Sequence, residues 1–81
     1  MKINAVVRIH KNNGKVITHT YLANEFDAIY CCVSSLCSQL SKEDAHEVAA
    51  SAASWCENAG IGETCDILDG VAEIEITEGG I

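Results

Sequence analysis

The chain contains no proline and little aromatic area: its 81 residues include one Trp, two Tyr and one Phe. A core therefore has to be assembled from Ile, Val, Leu, Ala and Cys, and at this length there is room for one core only. No run of about 18 apolar residues occurs, which excludes a membrane-spanning helix. The start, Met1-Lys2-Ile3-Asn4, lacks the apolar run of a signal peptide, so the cytoplasm is the expected location. The five cysteines (Cys31, Cys32, Cys37, Cys56 and Cys65) are odd in number, and no pair has C-x-x-C spacing. That argues against a secreted disulfide scaffold and against a paired-cysteine zinc or redox site. Reduced thiols used as small core hydrophobes are expected instead. Phosphate-binding loops, dinucleotide fingerprints and Ser-His-Asp signatures are also missing.

Basic residues are nearly absent after Leu22. Residues 1–22 carry Lys2, Arg8, Lys11 and Lys15 and no acid, a charge of +4. Residues 23–81 carry all twelve acids and the single base Lys42, a charge of −11. A block of that sign repels a polyanion, so direct nucleic-acid binding is not expected. It suits a positively charged partner, although acidity also serves solubility alone.

Residues 3–9 and 16–22 are rich in β-branched residues and partly alternate, and Asn13-Gly14 between them marks a hairpin turn. A two-residue loop sets Ile9 opposite Thr18. A three-residue loop with Gly14 at a bulge sets it opposite Ile17, and this register is preferred because it gathers Ile3, Ala5, Val7 and Ile9 on one face with Ile17 and Tyr21. Asn24 reads as the cap of a helix reaching Leu40, with Phe26, Ile29, Tyr30, Val33, Leu36, Cys37 and Leu40 inward and Cys31 outward. Ser41-x-x-Asp44 opens a second helix with Ala45, Val48, Ala49, Ala52, Trp55 and Cys56 inward, closed by Gly60 and Gly62. Asp69-Gly70 marks a second hairpin that pairs Leu68 with Val71, Ile67 with Ala72, Asp66 with Glu73 and Cys65 with Ile74. The expected fold is α+β: a four-stranded antiparallel sheet in the order β-β-α-α-β-β, with both helices on one face. It forms one domain over residues 1–81, with a frayed tail from Glu78 to Ile81.

Three histidines, His10, His19 and His46, lack ligand spacing with the cysteines, and no calcium-loop pattern surrounds Asp66, Glu73 and Glu75. No metal or cofactor is expected. The stretch Asp27-Ala28-Ile29-Tyr30-Cys31-Cys32-Val33-Ser34, following His19, resembles the ribosomal-processing cysteine protease family, as does the later strand Asp69-Gly70-Val71-Ala72-Glu73-Ile74. The resemblance implies a thiol–imidazole pair of Cys31 and His19. In register with Val33-Ser34, however, the family's nucleophile position falls on Tyr30, and Thr18 and Thr20 replace the Gly and Ala that flank the family's histidine.

The remaining feature is the acidic surface. Glu43, Glu47 and Glu57 share the outer side of the second helix, while Asp66, Glu73 and Glu75 share the sheet face turned away from the helices. In size, acidity and build, with a basic Asn-Gly hairpin over Arg8–Lys15 followed by a helix from Asn24, the chain resembles the small phage-encoded anti-CRISPR proteins. That resemblance implies a non-enzymatic inhibitor in the host cytoplasm. It would bind a basic surface of a nucleic-acid-binding protein, a CRISPR effector subunit, and block nucleic-acid binding or effector recruitment. The six carboxylates are the expected contact residues. The open sheet face, with Val6 and Val71, offers a homodimer as a further possibility.

Overall fold

The computed structural model describes residues 2–79. The first hairpin joins β1 (Ile3–His10) to β2 (Val16–Leu22). Lys11 N donates to the Lys15 carbonyl at 2.8 Å, and Gly14 N donates to the Lys11 carbonyl at 3.0 Å. Asn12, Asn13 and Gly14 are thus a three-residue loop, and Gly14 takes a φ of 84° that a side chain would resist. Ile9 lies opposite Ile17, the register that alternation favours.

Helix α1 spans Phe26–Leu36: it starts one residue later than a cap at Asn24 predicts and ends four residues short of Leu40. Asn24 does not cap it. The capping position is Glu25, whose carboxylate turns back to accept from Leu22 N at 3.0 Å. At the other end, Ser35 Oγ donates to the Cys32 carbonyl at 2.7 Å, a side-chain bond of the kind that competes with helix continuation. Cys37 N then bonds Ser34 O, and Leu40 N bonds Cys37 O, so tight turns replace the last helical turn. Leu40, expected inside, is consequently exposed.

Helix α2 spans Lys42–Asn58 and begins as predicted, with Ser41 Oγ accepting from Asp44 N at 3.2 Å. Its end differs. Ala59 leaves the helix in an extended conformation with ψ 149°, and of the two glycines only Gly62 takes a positive φ, 93°. The buried stripe is Ala49, Ala52, Ala53 and Cys56, with Val48 and Trp55 half-buried at its flank.

The second hairpin joins β3 (Thr64–Ile67) to β4 (Ala72–Glu78), with Ile67 opposite Ala72 and Asp66 opposite Glu73 as expected. The predicted pairing of Leu68 with Val71 is not part of the ladder. Leu68, Asp69 and Gly70 all take positive φ (51°, 53° and 99°), which opens the two-residue turn into a four-residue loop. Glu78, expected in the frayed tail, is a strand residue opposite Ile3, and Gly79 N donates to Lys2 O at 2.7 Å. Gly80 and Ile81 lie outside the described residues.

The sheet order is β2-β1-β4-β3, antiparallel throughout, so the fold class is the expected α+β arrangement. The core closes Ala5, Val7, Ile9, Ile74 and Ile76 beneath Ile29, Val33 and the α2 alanines. Among the described residues no helix is long and apolar enough to cross a membrane.

All five cysteines are free thiols. Burial, with Cys65 nearby, pushes the Cys56 thiol up to about 11 from an ordinary value of 9.0. In the unfolded chain that thiol ionises first, so its contribution is intact below pH 9 and is lost as pH rises toward about 11. Urea unfolding at stepped pH should show stability falling across that window. Cys56→Ala should flatten the slope, whatever the cavity costs at neutral pH; an unchanged slope would assign the alkaline loss to other groups.

Candidate partner-binding surfaces

Strand alternation turns Arg8 and Val6 of β1, Glu73 and Glu75 of β4 and Asp66 of β3 to the sheet face away from the core. Asp66, Glu73 and Arg8 are register neighbours in one row, and Glu75 sits opposite Val6 in the next. Arg8 Nη2 donates to Glu75 Oε1 at 2.8 Å, and Nη1 donates to Glu73 Oε1 at 3.3 Å. The hydrogen bond to Glu75 does most to hold the guanidinium pKa above its usual value; lost hydration opposes it, and both carboxylate charges and the bond to Glu73 add to it. The repulsion expected between Asp66 and Glu73 is therefore relieved from across the sheet. Two of the three carboxylates expected to contact a partner here are already engaged by the chain's own arginine.

Glu43, Glu47 and Glu57 are exposed on α2, in the other layer of the molecule. The six carboxylates thus do not form one patch. The structure does bring some of them together at the outer edge of the sheet, where a hollow of about 640 Å³ lies between α2 and β3. Its floor and walls are apolar: Leu40, Val48, Trp55, Ile67 and Leu68. Asp44, Glu47 and Asp66 stand on its rim, all exposed. Among the described residues the only ion pairs are those of Arg8, so none of these rim carboxylates has a basic partner. Glu57 borders a separate hollow of about 300 Å³, beside Lys2, Leu22 and Asn24.

Of the residues that line the larger hollow, sequence reasoning singles out only Glu47 and Asp66 as contacts. Asp44 reads as part of a helix cap and Trp55 as core bulk. The signal lay in helical geometry: Asp44, Val48, Ser51 and Trp55 follow at spacings of three and four, a stripe that borders the buried alanines.

His19 and Cys31 lie on different elements, β2 and α1. His19 is exposed on β2, opposite Val7, and its ring stacks on Tyr21 with centroids 6.3 Å apart. Cys31 is exposed on α1, as expected, and among the described residues no hydrogen bond joins it to His19. Tyr21 instead meets Cys32; that contact, with partial burial, pushes its hydroxyl up to about 12. His46 Nδ1 lies 2.7 Å from the Tyr30 hydroxyl and ties α2 to α1. Among the described residues no three His, Cys, Asp or Glu side chains converge to hold a metal ion.

No family model, curated protein or solved structure matches the chain. Its function has to be argued from the surfaces themselves.

Proposed function

We propose that this protein acts without catalysis, as a small inhibitor that occupies a basic surface of a nucleic-acid-binding protein. The observation that carries this reading is the set of exposed, unpaired carboxylates along α2 and the β3 edge: Glu43, Asp44, Glu47 and Asp66. Carboxylates without internal partners keep their full charge for a cationic target, and they steer its approach. Glu73 and Glu75 contribute less, because Arg8 offsets them locally. The partner class we assign is the nucleic-acid-binding subunit of a CRISPR effector complex, in keeping with the likeness to anti-CRISPR proteins. Such binding would exclude target DNA from the lysines and arginines that hold its phosphates.

The test is competition. Purified protein titrated into CRISPR effector complexes of several types should lower their binding of labelled target DNA. The combined variant Glu43→Lys, Glu47→Lys, Asp66→Lys should lose that effect while keeping its fold, and Glu75→Gln should keep the effect. Raising the salt should weaken the inhibition, because exposed charges are screened beyond about 8–10 Å at 0.1–0.15 M. DNA binding unchanged across the complexes would remove the inhibitor reading.

The absence of catalysis has its own test. Cys31 should react with iodoacetamide at neutral pH at the rate of an ordinary exposed thiol, and His19→Ala should leave that rate unchanged. Fast labelling that slows in His19→Ala would establish a thiol–imidazole pair and overturn the non-catalytic reading.

A further inference from the structure

Strand β3 is an outer strand: it pairs with β4, and among the described residues no strand lies on its other side. Antiparallel ladders alternate between hydrogen-bonded and non-bonded pairs. Ile76 N donates to the Glu63 carbonyl at 3.0 Å, which fixes the phase. Cys65 and Ile67 then direct their peptide groups to β4, and Thr64 and Asp66 direct theirs to the free edge. An edge of this kind is a template for one more strand.

The hollow between α2 and β3 lies alongside that edge. One of its walls is Leu68, held at φ 51°, a conformation that glycine or asparagine adopts more readily. A turn built only for stability has no need of a leucine there, whereas a groove needs the apolar wall. The rim supplies negative charge on two levels. Asp44 and Glu47 project from α2 on the helix side, and Asp66 projects from β3 on the open side.

We propose that this groove takes an extended basic segment of the partner protein as a fifth strand beside β3. One bulky apolar side chain fills the hollow against Trp55, Val48 and Leu68. Residues two places on either side of it meet Asp44 and Glu47, and its immediate neighbours meet Asp66, because alternate side chains of a strand point to opposite faces. The segment therefore reads as an apolar anchor flanked by Lys or Arg. This inference rests on the reading that the partner is basic, and it names the part of the partner that binds.

The probe is a blocked peptide, Arg-Lys-Phe-Lys-Arg, titrated into the isotopically labelled protein. Its control, Arg-Lys-Gly-Lys-Arg, has the same charge and no anchor. The phenylalanine peptide should bind about tenfold more tightly or better, from the apolar area that its ring buries. Shifts should centre on the Trp55 indole, the Leu68 and Val48 methyls and the Thr64 and Asp66 amides. Leu68→Gly removes the wall and relieves the backbone, so it should keep or raise the melting temperature and weaken the phenylalanine peptide about tenfold.

Equal binding of both peptides, with shifts confined to carboxylate-bearing residues of α2, would overturn the groove and leave the basic-partner reading standing. No binding of either peptide would overturn the groove too, and the competition with target DNA would still judge the partner independently. Growth of the free protein into concentration-dependent oligomers that Leu68→Gly abolishes would give the groove to a second copy, again overturning the proposal.

Discussion

Ile74→Ala is expected to remove roughly 3 kcal/mol or more of folding stability, as deletion of most of a large buried aliphatic side chain does. Ile74 is fully buried in β4, an interior strand, with Val7 opposite it on one side and Cys65 on the other. A domain of 81 residues holds on the order of 4–12 kcal/mol in total. There is no disulfide to limit the unfolded chain, since the cysteines are free, and one core supplies nearly all the stabilisation. At about 1 kcal/mol per molar, a small domain's dependence on urea, the midpoint should fall by about 3 M. A fall of under about 1 M would mean that α1 and α2 settle onto the sheet and close the cavity.

Arg8→Glu is expected to have the next largest effect, and to have it mainly at neutral pH. In the native protein one guanidinium sits between Glu73 and Glu75, with Asp66 beyond Glu73 in the same row. The substitution replaces that cation with a fourth carboxylate on the same small area, and like charges directly across strands are destabilising. Lowering the pH toward about 4, where carboxyl groups take up protons, should relieve the repulsion and narrow the gap between variant and parent. Thermal unfolding of both proteins at pH 7 and pH 4 measures this. A gap of equal size at both pH values would show that Arg8 matters through the packing of its aliphatic stem, not through its charge.

The same arginine shows where sequence reading reaches its limit. Asn13-Gly14 and Asp69-Gly70 encode two hairpins locally, and alternation of apolar residues sets their registers, so both ladders were legible. The start of α2 was legible in Ser41 and Asp44, because a cap is made by residues three apart. Nothing local states that β1 and β4 become neighbours. Without that pairing the trio Asp66, Glu73 and Glu75 looks like an uncompensated acidic face, and Arg8 has no reason to belong to it. The end of α1 departs from its sequence pattern for a related reason. Apolar spacing continues to Leu40, yet the backbone after Leu36 closes into tight turns on Ser34 and Cys37, and Ser35 adds a side-chain bond to the Cys32 carbonyl. The groove was hidden because Trp55, Leu68 and Asp44 each have an ordinary local role, and only the approach of α2 to β3 gives them a shared one.

Because β1 and β4 lie side by side in the interior of the sheet, the earliest and latest strands of the chain must meet before the sheet is whole. The turn of each hairpin is encoded locally, but a ribosome has to deliver residue 78 before the full β1–β4 ladder can be laid down. Contacts between residues so far apart in the chain slow folding. During synthesis the first hairpin therefore waits with both long edges bare. Until β4 arrives, Arg8 on the edge of β1 has neither of its carboxylate partners, and an uncompensated charge on a bare edge discourages two such waiting chains from pairing.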